Sequence, residues 1–483
     1  MSILRNYSYN LVYQITLILI PIISIPYITR VIGTQGVGIY AFTNSITQYF
    51  IIFANFGLNL YATREIAFFK SDLIKKSAIF REIVVLQVIG TSVMMLGYYL
   101  YVILLSDDYK NLYLIQSISI LSVAFDISWF YIGNENFKKN VIRNLIVKIT
   151  AFVLLFVVVK KPEDLWKYIL LSVVSIFLGQ IYMWIGIRKY LIIKSFRILE
   201  LKDHLKKVFN FFLIVFIGII GINLNKTLIG IFVNKSELGK YDIAYRIITT
   251  SLIIVTSMGG VMTPRISATY GEGDKGKVNE YLKKSLQFIL FFCFLIIPMI
   301  IGISNNFVIW FLGSDFRGTG LFLIILAPMI LLNSLSNLIA NQYMIPSGNE
   351  KKYLLSLIIG GVIGIISSFI LIPMFSTVGA CITVLLGESS ILAAHIFQTK
   401  NQHELSNIVG NWWQFFLASF PILLFSYFLK YQIISPILLT FFQIILSIII
   451  YLIILLILKN EFLLMAISRL RAILLNRYHV WKL

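Results

Sequence analysis

Four ionisable side chains stand inside apolar runs of this 483-residue chain: Lys226, Arg246, Asp126 and Glu388. A charge at the centre of a membrane helix costs about 2.5–3.5 kcal/mol on insertion scales, so one that persists faces a hydrated cavity or a partner. Lys226 lies beside Asn223 and Asn225, and Arg246 shares a helix face with Asp242, Thr249 and Thr250. Either base suits an anion in a cavity; the alternatives are a pair of Arg246 with Asp242, four residues away, or snorkelling to headgroups. Asp126 and Glu388 suit a proton or sodium ion, or a hydrogen bond to a neighbouring helix. Lys148 is a further base within a span. Arg30, Arg64 and Arg265 fall near span ends, where guarding a mouth and positive-inside anchoring explain them equally well. His395 reads as structural. The chain has no HExxH, paired-cysteine cluster, Walker A loop or nucleophile elbow. No catalytic residue, metal or cofactor is therefore expected.

The elements that must position these groups are membrane helices. Hydrophobic residues make up 59% of the chain and charged ones 13%, and the apolar residues fall in long uninterrupted runs. At about 20 residues per span, about fourteen helices are expected near 10–31, 37–60, 82–104, 112–133, 141–160, 166–187, 209–232, 240–263, 285–304, 319–343, 353–373, 378–398, 411–430 and 436–458. The formal charge of +20 would suggest nucleic acid in a soluble protein. Here 29 of the 41 Lys and Arg gather in alternate loops and at the termini, which excludes that partner and places both ends of a multi-pass inner-membrane protein in the cytoplasm. The stretch 188–207 alternates bases with apolar residues and reads as an amphipathic surface helix. The tail 459–483, with Arg469, Arg471, Arg477 and Lys482, reads as a helix on anionic headgroups. Cys293 and Cys381 read as apolar filler, and the N-terminus as a retained first span.

A shift of 201 residues superposes Gly38-Ile39-Tyr40 on Gly239-Lys240-Tyr241 and Arg64 on Arg265. Further on, Gly133-Asn134-Glu135 matches Gly348-Asn349-Glu350, and Phe177-Leu178-Gly179-Gln180 resembles Leu385-Leu386-Gly387-Glu388. Asn44, Gln48, Asn55 and Asn59 form one stripe of the second span; Ser119, Ser122 and Asp126 mark the fourth, matched by Ser334, Asn337 and Asn341 in the tenth. The fold expected is an all-α integral membrane protein with two six-helix lobes related by a parallel repeat, plus two extra C-terminal helices, an arrangement suited to rocking. The N-terminal lobe spans 1–187, the linker 188–208, the C-terminal lobe 209–400, the extra helices 401–458 and the basic tail 459–483. Pro21, Pro26 and Gly259-Gly260 would bend helices to open a lateral gate. Trp129, Phe130, Tyr131, Trp412 and Trp413 read as interfacial belts, with sugar stacking the sharper reading.

Pro26-Tyr27-Ile28-Thr29-Arg30-Val31-Ile32-Gly33, Gly38-Ile39-Tyr40, Thr63-Arg64-Glu65-Ile66-Ala67, Trp129-Phe130-Tyr131-Ile132-Gly133-Asn134-Glu135 and Val159-Lys160-Lys161-Pro162-Glu163-Asp164-Leu165 together resemble the polysaccharide-transporter branch of the multidrug/oligosaccharidyl-lipid/polysaccharide exporter superfamily, the Wzx-type repeat-unit flippases. The resemblance implies alternating access and, as cargo, an undecaprenyl-diphosphate-linked oligosaccharide carried to the outer leaflet for capsule, O-antigen or exopolysaccharide. A polysaccharide polymerase machinery would then be a partner beside the membrane lipids. A flippase breaks no bond and needs a wet cationic path, so the expected substrate-binding set is Lys226, Arg246, Arg30, Arg64, Arg265, Lys148, Asn44, Gln48, Asn55 and Asn223. Asp126 and Glu388 are the expected sites of coupling to a proton or sodium gradient. Family members often carry an acid beside the base of the seventh helix; here Asn225 stands there, which leaves Lys226 without that neighbour. A cation-coupled drug exporter of the same superfamily is the alternative.

Overall fold

The computed structural model describes residues 3–104, 108–192, 201–400, 411–429 and 435–468. No strand occurs among them. In hydrocarbon every backbone N–H and C=O needs an internal partner, which a helix supplies within one segment. Among the described residues, eleven helices are long and apolar enough to span. The first, α1 (Ile3–Asn55), is two spans joined without a loop: it leaves helical geometry at Gly33, where φ is 72° and ψ is 176°, a conformation glycine adopts without a Cβ penalty. The bend thus falls after Pro21 and Pro26 rather than at them. A fifty-residue helix, Glu350–Thr399, is likewise broken at Ser376, and the shorter apolar helix Trp412–Leu429 completes a layout that fits the fourteen spans expected.

Two compact units form, residues 1–242 with 372–377, and 243–371 with 378–483. In the first, α1 is followed by α2 (Leu58–Phe68), α3 (Leu73–Leu104), α4 (Lys110–Ala124), α5 (Ser128–Gly133), α6 (Phe137–Val158), α7 (Leu165–Trp184), α8 (Leu201–Phe232) and the opening of α9 (Lys235–Gly271). Much of 61–81, between two of the expected spans, is helix, because α2 runs to Phe68 and α3 begins at Leu73. Of the expected linker helix, Ile187–Tyr190 is a 3-10 turn, 193–200 lies outside the described residues, and the residues from Leu201 belong to α8. Tyr98, Tyr113, Val102 and Ile120 tie α3 and α4 to Ala54 of α1. Tyr61, Phe80, Trp129, Phe130, Tyr131 and Met183 tie α2, α3, α5 and α7. The aromatic triplet expected as a belt is therefore core: Trp129, Phe130 and Tyr131 are each 0% exposed. The cause is the break at 125–127 in the fourth span, which turns α5 inward.

The second unit contains the rest of α9, α10 (Lys275–Phe311), α11 (Thr319–Leu326), α12 (Met329–Asn337) running into a π-helical turn at Leu338–Met344, α13 (Glu350–Thr399), α14 (Trp412–Leu429) and α15 (Pro436–Ile457). α9 is helical straight through Gly259-Gly260, so no break occurs where a bend was expected. The two extra helices pack on α10 through Phe415, Ala418, Ile422, Tyr451 and Leu455, and Tyr451 donates to the Phe291 carbonyl at 2.9 Å. Trp412 and Trp413 are about half exposed. Cys293 and Cys381 are free and buried. A short helix at 461–468 opens the tail, whose four bases lie outside the described residues.

The repeat has a physical basis within the first unit. A Cβ on Gly38 would strike the Lys235 carbonyl, and one on Gly239 the Thr34 carbonyl; each would also reach the other's amide nitrogen at 3.0 Å. The contact is reciprocal, each glycine facing the carbonyl four residues before its mate. The third anchor needs a shift of two residues. At 131–136 and 344–349 the helices end in the same capped turn: Asn136 N–H to Tyr131 O and Asn349 N–H to Met344 O, both 2.8 Å. The left-handed residue of that turn is Glu135 (φ 57°) in one copy and Gly348 (φ 75°) in the other. Gly133 serves something else, since a side chain there would strike Ile66 and the Thr63 carbonyl of α2.

Candidate functional site

α8 presents Asn223, Asn225, Lys226 and Thr227 within one turn, against α1 and the opening of α9. Gly230 lets α8 close on Phe42, since any Cβ there would meet the phenyl ring. Lys235 holds the next corner, its ammonium 3.3 Å from the centre of the same ring and donating to the Gly230 carbonyl at 2.6 Å. Lys226 Nζ then lies 2.7 Å from Asp242 Oδ1, with the two side chains 13% and 0% exposed. The acid missing beside Lys226 in sequence thus arrives from the next helix. Sixteen positions separate the partners, and only the tight turn between α8 and α9 brings them together.

Thr227 is the hub of a polar chain that sequence reasoning missed. Its hydroxyl meets Ser45 Oγ at 2.9 Å and Tyr49 OH at 3.0 Å, and donates to the Asn223 carbonyl at 3.0 Å. The Asn223 amide donates to the Ile219 carbonyl at 3.0 Å. A second buried network occupies another face of α1. Thr47 donates to Gln116 Oε1 at 2.6 Å, Gln116 donates to Thr43 Oγ1 at 2.9 Å, and Tyr98 OH meets Thr47 at 3.0 Å. With 43, 45, 47 and 49 engaged, Asn44 and Gln48 remain on a half-buried third face. The segment Thr43 to Tyr49 is polar almost all round, which a single-stripe reading could not register.

The stripe expected along the second span ends at a break. α1 stops at Asn55, Gly57 takes φ 76°, and Asn59 belongs to α2. Hydrogen bonds bridge the break: Asn59 N–H donates to Asn55 Oδ1 at 3.3 Å, and Asn59 Nδ2 to Asp126 Oδ2 at 3.1 Å. The other Asp126 oxygen accepts from Ser128 N–H at 2.9 Å and starts α5. Asn55, Asn59 and Asp126, from different expected spans, are thereby one cluster; Asn59 Oδ1 is buried with no hydrogen-bond partner among the described residues.

The remaining expected residues divide. Arg30, Arg64 and Arg265 are exposed, and Arg246 and Lys148 are half-buried. Lys148 lines a hollow of about 330 Å³ with Arg143, Asn144, Ser172 and Gln180. Glu388, in the second unit, accepts from Asn333 Nδ2 at 3.1 and 3.2 Å. His395 meets Ser336 Oγ at 3.0 Å. Gln180, the repeat mate of Glu388, accepts instead from Arg143 at 2.7 Å. The glycine before each marks a close helix contact, Gly179 against Val147 and Gly387 beside Gly360 and Gly364.

One further set escaped the sequence reading. Tyr61 OH lies 2.5 Å from His204 Nδ1, and His204 Nε2 lies 2.8 Å from Glu82 Oε2. All three are buried, and they pin the start of α8 to α2 and α3.

No metal-binding group of three or more His, Cys, Asp or Glu occurs among the described residues.

Comparison with known proteins places this geometry. In sequence, the chain is 24% identical over 412 residues to a protein described as an O-antigen transporter in Escherichia coli strain K12, covering 83% of this chain and 97% of that one. It is 23% identical over 381 residues to a protein so described in Shigella dysenteriae, covering 77% and 94%. Among solved structures, it is similar to the lipid II flippase MurJ in an inward closed conformation, with a TM-score of 0.76 at 17% identity over 95% of this chain and 99% of that one. A multidrug resistance MATE family transporter of the MOP superfamily gives a TM-score of 0.60 at 12% identity, covering 82% and 96%. Residues 3–270 match the family model described as polysaccharide biosynthesis protein, more than half of the chain, and this chain belongs to that family of multi-pass membrane proteins, as a transporter and not an enzyme.

Proposed function

We propose that this protein is a flippase that carries a lipid-linked oligosaccharide across the bacterial inner membrane, of the Wzx type, with undecaprenyl diphosphate as the carrier and both termini cytoplasmic. The observation that carries the reading is the near-complete alignment with proteins described as O-antigen transporters, which this chain covers over 94% and 97% of their length. The in-span polar groups support it. A sugar diphosphate crossing the bilayer needs a hydrated path with hydrogen-bonding partners and positive charge, and Asn44, Gln48, Asn55, Asn223 and Lys226 lie within candidate spans of α1 and α8. Arg246 and Lys148 are further bases for the path, and Arg30, Arg64 and Arg265, all exposed, suit its mouths.

The working cycle in this reading is alternating access by two six-helix lobes, 1–187 and 209–400, with 188–208 as their linker. A proton or sodium gradient drives it through Asp126 or Glu388. The orphaned Asn59 oxygen beside Asp126 supports that acid as a seat for a small cation. A polymerase acting on the delivered repeat units is the expected partner.

The test is translocation in vesicles holding the full chain and a lipid-linked oligosaccharide with a fluorescent sugar. Protection of the sugar from an external quencher should change with time only in vesicles with protein, and should respond to an imposed proton or sodium gradient. Equal rates with and without protein would overturn the reading.

A further inference from the structure

A groove of about 600 Å³ runs along the seam between α6 and α7, away from α1 and α8. Arg143, Val147, Thr150, Leu154 and Val158 line one wall, at steps of three and four that keep them on one helix face. Trp166, Leu170, Val174, Leu178 and Tyr182 line the other. Its floor is shaped by Gly179, where a side chain would displace Val147. At 1.5 Å rise per residue, Arg143 to Val158 spans about 22 Å. Divided over that length, 600 Å³ gives a cross-section of about 27 Å², room for a single hydrocarbon chain.

A base lines each end. At one, Lys167 is taken up by Asp164 at 2.7 Å. At the other, Arg143 is oriented by amide oxygens, Gln180 Oε1 at 2.7 Å and Asn144 Oδ1 at 2.7 Å, with Lys138 and Lys139 in the preceding turns. Of the two bases that line the groove, Lys167 is thus paired with an acid, with exposed Lys160 and Lys161 just beyond, and Arg143 stands at the end that loop charge assigns to the cytoplasm.

Length selects the occupant. One leaflet offers about 15 Å of hydrocarbon depth, half of a core of about 30 Å, and an ordinary phospholipid chain headed at Arg143 would leave the far third of the groove unfilled. A polyprenyl chain would run its full length to Trp166. We infer that the α6–α7 groove holds the polyprenyl tail of the lipid-linked cargo, with the phosphate end at Arg143. The inference rests on the proposed function for the identity of the lipid, and on the groove itself for its place.

Photolabelling of the full chain in nanodiscs tests it. The probe is a long-chain polyprenyl phosphate with a diazirine near its far end, compared with phosphatidylglycerol bearing a diazirine on one acyl chain. The polyprenyl probe should mark residues 150–158 and 166–174, resist an excess of phosphatidylglycerol, and lose labelling about tenfold in Thr150→Trp and Leu154→Trp, which fill the channel, but not in Val157→Trp, which is exposed and off the groove. Equal labelling by both probes would make the groove a place for bulk lipid and overturn the inference, as would labelling that Thr150→Trp leaves unchanged. Vesicle translocation separates the two claims: a groove that fails to label in a chain that still flips cargo sinks only the groove, and a groove that labels in a chain that flips nothing sinks only the flippase reading.

Discussion

Removing one partner of the Lys226–Asp242 pair separates two roles that a single substitution would confuse. At 2.7 Å and an effective dielectric constant of about 20, the attraction is about 6 kcal/mol, set against several kcal/mol of desolvation for each ion. The net worth of the pair is therefore small, but breaking it is not. Lys226→Met removes a cation 2.7 Å from a carboxylate that is 0% exposed and should cost about 3–5 kcal/mol. If the first unit unfolds cooperatively, its thermal midpoint should fall on the order of 10 °C. Asp242→Asn should cost less, because Lys226 retains 13% exposure and can reach polar surroundings. The double variant Lys226→Met with Asp242→Leu should recover most of the lost stability, since a packed apolar pair replaces an ion pair at little cost. Export should stay abolished in that double variant if Lys226 binds the cargo's phosphate. The assays are a thermal scan at fixed rate in one detergent and vesicle translocation on the same preparations. A stable double variant that transports at the parental rate would refute the binding role. A Lys226→Met protein as stable as its parent would refute the pair itself.

Three further outcomes follow from packing. Gly38→Ala and Gly239→Ala each drive a Cβ into a backbone carbonyl that cannot step aside, so each should lower stability by about 3 kcal/mol, the upper end of overpacking costs; a thermal midpoint unchanged in either would show that the backbones are not in contact. Trp129→Ala should cost about 3–5 kcal/mol as a core truncation, whereas Trp412→Ala, half exposed, should stay within about 0.5 kcal/mol, and similar shifts in the two would restore the belt reading of Trp129. Glu82→Leu strands His204 Nε2 and should cost about 1–3 kcal/mol, and proteolysis near residue 204 should rise with it; protection equal to the parent would mean that the histidine does not hold α8.

The helices were legible because an apolar run of spanning length finds its solvent in a bilayer and almost nowhere else. Their junctions were not. The bend at Gly33 rather than at Pro21 or Pro26, and the end of α1 between Asn55 and Asn59, depend on single backbone torsions that leave hydropathy unchanged. Lys226 could be singled out by its insertion penalty, which is local. Its contact with Asp242 could not, because Asp242 sits at the edge of a different span, where spacing offers it only as an alternative partner for Arg246. The same blindness explains His204, which lies in a charged stretch that reads as surface and yet reaches a buried glutamate more than a hundred residues away. Trp129 shows the converse error: aromatic residues near a predicted interface look alike in sequence whether they face headgroups or a break that folds them inward.

The repeat was detectable for a reason that also limits what it can reveal. In a two-fold arrangement a residue i that touches j is answered by j touching i, so Gly38 and Gly239 are one contact met twice. Neither can gain a side chain without striking the other's helix. That mutual constraint holds two distant positions to the same residue, and a bare sequence shift finds it. The polar positions have no such tie. Asn44, Gln48 and Asn55 are repeated as Tyr245, Thr249 and Thr256, a change from amides to hydroxyls that each copy can make separately because each bonds to its own surroundings. Ser45 and Tyr49 meet Thr227, and Thr249 turns back on its own helix to the Tyr245 carbonyl at 2.9 Å. Packing at the crossing is therefore reciprocal while the polar faces differ.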